Sequence, residues 1–303
     1  MYPEKYRYII KLIVTVIILF FIIQLLDYEK LINALSIANK ELLVFSFLTV
    51  PVWIGLKSLK WRILLSSFWP ETSMWLACRS FMGGLGPGLL TPAKVGEFTR
   101  SLYLPYKDNF KVISLVILDR YCDLISLLFF SSLGISYFLG LGYGIGMIIF
   151  GVIGIALFYI CPFLLKRIGK NSQNSKFFKN WFLRLADILE IKPGIFYKSL
   201  LLSSLIFIIS MLTSFLLLNS FQATQISLMY KVFPLTLLTN IFPLTIGNLG
   251  IREGATIILL NEFQISSEIA FNIAIILFFL HSFLPAIIGT FIAQLGENQE
   301  QSP

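Results

Sequence analysis

Residues 196–218, FYKSLLLSSLIFIISMLTSFLLL, carry a single charge, Lys198, over a stretch long enough to cross a bilayer as a helix. An α-helix rises about 1.5 Å per residue, so about 20 apolar residues bridge the roughly 30 Å of hydrocarbon. Blocks of the same kind fill 8–26, 42–60, 111–138, 143–165 and 267–293. Hydrocarbon offers backbone groups no hydrogen-bonding partner, so such blocks cross as helices. The chain therefore reads as all-α, a polytopic membrane helical bundle with about six full spans. Charged residues make up 13% of the 303, about half their share in a soluble domain, and no separate soluble domain fits between the blocks. Whatever the chain does is done in or at the membrane.

The first block is followed by DYEKL and has no small-residue cleavage site, which makes it a retained helix rather than a secretory signal. Between 166 and 198 the basic residues, among them Lys166, Arg167, Lys170 and Lys176, far outnumber the two acids, Asp187 and Glu190. By the positive-inside rule this is a cytoplasmic loop. Counting crossings outward from it predicts a multi-pass protein of the cytoplasmic membrane, with both termini and the KWR of 60–62 on the cytoplasmic side. The chain divides into a first half (1–165), the basic loop (166–198), a second half (199–293) and a polar tail (294–303). The formal charge of +8 is then a topology signal, and no nucleic-acid partner is expected. Within the loop, 177–191 places Phe177, Phe178, Trp181, Phe182 and Leu185 on one helical face. It either lies flat in the interface or packs beneath the bundle. Cys78, Cys122 and Cys161 are far apart and surrounded by apolar sequence, which fits buried structural cysteines.

Two apolar stretches are not simple spans. In 74–104, MWLACRSFMGGLGPGLLTPAKVGEFTRSLYL, Gly-Gly, Gly-Pro and Pro92 are expected to interrupt the helix. In 229–262 the breaks fall at Pro234, Pro243, Gly247 and Gly250. Both read as re-entrant hairpins of two short helices, and a broken helix in hydrocarbon must be buried in protein or face a wet cavity. LTPAKVG (90–96) aligns without gaps to LTIGNLG (244–250), and each is followed by a glutamate, Glu97 or Glu253. With the expected six crossings the two hairpins enter from opposite sides, the arrangement of an inverted repeat.

Charge gathers at the same places. Arg79, Lys94, Glu97 and Arg100 lie in the first broken stretch, Asp119, Arg120 and Asp123 in the span that follows, and Arg252 and Glu253 in the second. An ionisable group at mid-membrane costs about 2.5–3.5 kcal/mol on insertion scales, so it faces a partner or water. Snorkelling to the interface is the alternative for any one of them, but it does not account for charge and broken backbone coinciding twice. Asp119 and Asp123 share a helical face, with Arg100 or Arg79 as expected partners and Arg120 turned away by about 100°. A half-helix starting near Thr91 or Gly250 would aim its free N–H groups at a phosphate, with Lys94, Arg100 and Arg252 adding charge. His281, the one histidine, reads as a packing residue, and Pro285 as a kink in the last span.

WRILL, GGLGPGLLTPAKVGEFTRSLYL, DRYCDL and TIGNLGIREGA, in this order, resemble the flippase-like transmembrane region of the lysylphosphatidylglycerol synthetase family. The resemblance implies re-entrant helices around a polar cavity that moves a lipid headgroup across the bilayer. It carries Pro92, Gly96, Glu97, Arg100, Asp119, Arg120, Asp123, Gly250, Arg252 and Glu253 over as motif positions. Bifunctional members continue into a soluble aminoacyltransferase domain, whereas this chain ends at GENQEQSP, so synthesis of lysyl-phosphatidylglycerol is not expected. The expected cargo is an anionic phospholipid or a polyprenyl-phosphate lipid, with no cofactor, metal or catalytic residue. A membrane-embedded transferase is the first alternative, with Asp119 and Asp123 on Mg²⁺ or Glu97 as base. The second is a non-transporting scaffold for glycosyltransferases or lipid-synthesis enzymes, docked through 166–198.

Overall fold

The computed structural model describes residues 38–106, 108–171, 191–239, 245 and 248–300, together with Glu29, Asn33, Ser36 and Ala186. Among these, every regular element is a helix. The expected first span (8–26) and the amphipathic segment (177–191, apart from Ala186 and Ile191) lie outside the described residues, as does most of the basic loop.

The long helices are α1 (Lys40–Leu65), α3 (Asn109–Leu139), α4 (Leu141–Asn171) and α5 (Pro193–Phe221). Asn39 opens α1 by accepting from the N–H groups of Glu41 (2.9 Å) and Leu42 (3.2 Å), which satisfies two of the donors a helix start leaves over. Asp108 does the same for α3 through Lys111 N–H at 3.2 Å. Four helical stretches are long and apolar enough to cross a membrane: Lys40–Leu65, Leu141–Ile168, Pro193–Phe221 and Ser267–Ile292. They match four of the six expected spans. The fifth, α3, has 31 residues and the length to cross.

The last span is α9 (Ser267–Phe278), a single π-helical turn (Phe279–Phe283) and α10 (Leu284–Glu300). The irregularity therefore sits just before Pro285, the expected kink. The helix runs on to Glu300, through most of what the sequence marks as a tail.

The first broken stretch differs from expectation. Helix α2 (Met74–Leu90) runs unbroken through Gly83, Gly84 and Pro87, and stops only at Thr91. From there the chain turns back as a 3₁₀ helix, Pro92–Tyr103, rather than as an α half-helix. The glycines of α2 serve close approach instead: a Cβ on Gly84 would stand 2.5 Å from Arg100 Cγ, and one on Gly88 2.6 Å from Glu97 Cγ. Gly96 makes the reciprocal approach from the other side, where a methyl would meet the carbonyl of Pro87. The second broken stretch comprises α6 (Ser227–Lys231), α7 (Phe233–Leu238) and α8 (Ile251–Asn261).

Packing follows a reciprocal plan. Helices α1 and α5, the first long described helix of each half, lie against each other. Helix α3 of the first half packs on α6 and α7, the broken stretch of the second, and α10 of the second half packs on α2, the broken stretch of the first. Two apolar clusters result, one around Trp61, Phe81 and Cys122 and the other around Leu217, Phe233 and Leu280. Helix α4 stands at the rim, with Ile149, Phe150, Val152 and Ile153 exposed along its length, the surface a lipid-facing helix needs.

Candidate functional site

Between these clusters lies a cavity of about 500 Å³. Every long element except α4 contributes to it: Lys57 from α1, Arg120 and Asp123 from α3, Ser210 from α5 and His281 from the π turn. Both broken stretches reach it, the first with Thr91, Lys94 and Glu97 and the second with Thr245, Asn248 and Arg252.

The aligned heptads meet here at equivalent positions. Lys94 and Asn248 occupy the same place in LTPAKVG and LTIGNLG, and both have left-handed backbones, φ 56° and φ 60°. For a residue other than glycine this conformation costs about 1–2 kcal/mol, and such strain gathers where a site needs it. Thr91 and Thr245 are likewise equivalent and both line the cavity. The Thr91 hydroxyl is used in the turn itself, donating to Pro87 O at 2.8 Å and accepting from Gly96 N–H at 2.6 Å.

A buried ion network forms one wall. Lys57 Nζ lies 2.7 Å from Asp123 Oδ2, and Lys60 Nζ lies 2.6 Å from both Asp119 Oδ1 and Asp123 Oδ1. Ser203 adds a hydrogen bond to Asp123 Oδ1 at 2.9 Å and receives one from Lys60 at 3.0 Å. Arg100 joins Glu97 (2.8 Å) to Asp119 (3.1 Å) and has no exposed surface. Its guanidinium lies over the Trp61 and Phe81 rings, 5.1 and 4.9 Å from their centroids. Arg120 donates from Nε to Glu97 at 2.9 Å, pairs with the same carboxylate through Nη2, and approaches Asp123 at 3.6 Å. Ionised groups in hydrocarbon persist only when paired and hydrogen-bonded to this degree.

The second stretch is wired locally. Gly250, at φ 87°, caps α8, and its N–H donates to Glu253 Oε2 at 2.5 Å. Arg252 pairs with Glu253 Oε1 at 2.6 Å and lies over the Phe278 ring. The α8 terminus therefore does not aim a free N–H group from Gly250 at a ligand, because Glu253 has taken it up.

Of the residues singled out from the sequence, Thr91, Lys94, Glu97, Arg120, Asp123 and Arg252 line the cavity. Arg100 and Asp119 stand directly behind the wall, as a pair. Gly96, Gly250 and Glu253 shape the backbone, and the backbone of Pro92 opens the 3₁₀ helix. Arg79 is buried in α2 and does not line the cavity.

Arg120 is not turned away, because it lies three residues before Asp123 and so shares its helical face. Lys60 and Trp61 of KWR are fully buried within the protein, where Asp119 and Asp123 hold the Lys60 ammonium. His281 is more than a packing residue: it stacks on Trp53 at 5.3 Å and also lines the cavity. Lys57 and Lys60 were legible as two charges three apart inside an otherwise apolar span. Thr245 and Asn248 were legible only through the heptad alignment.

Residues 8–289 match the family described as Lysylphosphatidylglycerol synthase TM region. The chain belongs to this family. A comparison with curated proteins returns no match. Membership fixes a membrane-embedded, lipid-related setting for the site. The buried ion network and the paired heptads are how this member of the Lysylphosphatidylglycerol synthase TM region family builds its interior.

Proposed function

We propose that the chain translocates a phosphate-bearing lipid headgroup across the cytoplasmic membrane through this cavity, while the acyl or prenyl tails stay in lipid. The carrying observation is the coincidence of two interrupted, strained backbone turns and a buried ion network at one cavity inside an apolar bundle. Irregular backbone at membrane depth is stable where it borders protein or a polar cavity. The basic segment 166–198 favours an orientation with both termini in the cytoplasm.

In the transferase alternative Asp119 and Asp123 would hold Mg²⁺. Their carboxylates are engaged by Lys57, Lys60 and Arg100, and among the described residues no group of three His, Cys, Asp or Glu side chains is placed to hold a metal. The first reading is therefore preferred.

The test is leaflet exchange of fluorescent anionic phospholipid and polyprenyl phosphate in proteoliposomes, against protein-free vesicles. Arg120→Gln is the informative variant, because Glu97 keeps Arg100 as its partner. Protein-dependent exchange that slows at least about tenfold in the variant supports the proposal. Exchange absent, or indifferent to the substitution, ends it.

A further inference from the structure

Polar groups left over once a protein has satisfied itself describe the guest it is built for. Among the described residues at this cavity the leftovers include two cationic side chains. Lys94 has no carboxylate within ion-pair distance among the described residues, and Arg252 Nε, Thr245 Oγ1 and His281 Nε2 are buried without a hydrogen-bonding partner. All four residues line the cavity. The carboxylates that line it are both held by cations, Glu97 by Arg100 and Arg120, and Asp123 by Lys57, Lys60 and Arg120. No lining carboxylate is spare for an ammonium group.

Counting charge gives the guest its valence. Among the described residues, four cations (Lys57, Lys94, Arg120, Arg252) and two carboxylates line the cavity, a difference of two positive charges. Behind the wall Lys60 and Arg100 stand against Asp119, and Glu253 pairs with Arg252, so the described network as a whole holds six cations against four carboxylates. A guest of charge −2 closes this account, and a phosphate monoester carries about −1.5 to −2 at neutral pH. A phosphodiester carries one negative charge, and an aminoacylated headgroup adds positive charge that has no partner here.

We propose that the cavity selects a dianionic phosphate monoester over singly charged phosphodiester and aminoacylated headgroups. This rests on the translocation reading only for the guest being a lipid that moves. Lys94 is the residue that sets the selectivity, since it supplies a charge that no carboxylate among the described residues pairs with.

The experiment measures dissociation constants by calorimetry for the purified full chain in detergent. The probes are dihexanoyl phosphatidic acid, dihexanoyl phosphatidylmethanol, dihexanoyl phosphatidylethanolamine and inorganic phosphate. The first two differ by one methyl group and one charge. Phosphatidic acid is expected to bind at least about tenfold more tightly than phosphatidylmethanol, and phosphatidylethanolamine to bind least. Lys94→Asn, which tolerates the left-handed backbone, abolishes the preference without lowering the melting temperature, and Lys94→Arg keeps it.

Equal affinity for the two esters, tighter binding of phosphatidylethanolamine, or a preference that survives Lys94→Asn overturns the proposal. Inorganic phosphate binding as tightly as phosphatidic acid retains the charge rule and assigns the site to soluble phosphate instead of lipid. Monoester preference without leaflet exchange breaks the translocation reading and leaves the selectivity standing. Exchange of diester lipids without any monoester preference does the reverse.

Discussion

The two broken stretches share a heptad, a left-handed residue at its fifth position and a threonine facing the same cavity, yet they are held in opposite ways. The first is a 3₁₀ helix lying in a glycine groove on α2, and its charges are exchanged with distant helices: Glu97 and Arg100 reach Arg120 and Asp119 on α3. The second leads into a regular α-helix whose charges are closed within three residues, Gly250 to Glu253. A turn tied to other elements moves when they move. A turn closed on itself keeps its shape independently of them. The pair thus joins a coupled half-site to a self-contained one, and the coupling runs through Arg100.

The sharpest way to break this comparison is to remove each arginine. Arg100→Ala leaves Glu97 with Arg120 alone and strips Asp119 of one of its two partners in a fully buried setting. A loss of about 3–5 kcal/mol is expected in chemical denaturation of the detergent-solubilised protein. Arg252→Ala leaves Glu253 still capping Gly250 and is expected to cost about half of that. Equal losses would mean that the two stretches are wired alike.

A smaller effect separates the glycines. Gly88→Ala pushes a methyl into Glu97 and is expected to cost about 1–3 kcal/mol, while also dislodging the carboxylate that anchors Arg120, so exchange falls with stability. Gly250→Ala meets backbone strain at φ 87°, about 1–2 kcal/mol, and the ion network of the first stretch is untouched. Thermal melting alongside the leaflet-exchange assay reads both. If Gly88→Ala melts like the parent protein, the close approach of the 3₁₀ segment is not what positions Glu97.

The smallest stability change is expected at the equivalent left-handed positions. Lys94→Asn places in the first turn the residue that the second already uses, so its stability should stay within about 0.5 kcal/mol of the parent. Any larger loss in the melting curve would show that Lys94 is tied into the fold rather than left over for a guest.

Much of this was legible in the sequence, for identifiable reasons. Helices follow from apolar length because hydrocarbon admits no unpaired backbone. The heptad match and the charges around it marked both sides of the cavity. The GGLGPG run was misleading: glycine is read locally as a helix breaker, but apolar surroundings leave the helix no better hydrogen-bonding alternative, and the missing side chains were needed for contact with a segment that comes later in the chain. The burial of Lys60 was not legible because its partners, Asp119 and Asp123, are remote in sequence.

What the sequence by itself determined is the class of object: an all-helical membrane bundle interrupted twice, with charge at the interruptions and a family to which those motifs belong. Local periodicity and the cost of unpaired groups in hydrocarbon suffice for that. Only the tertiary structure decided which charges cancel and which remain. Ion pairing is settled by side chains from separate helices meeting within about 3 Å, and Lys94 meets no such carboxylate among the described residues.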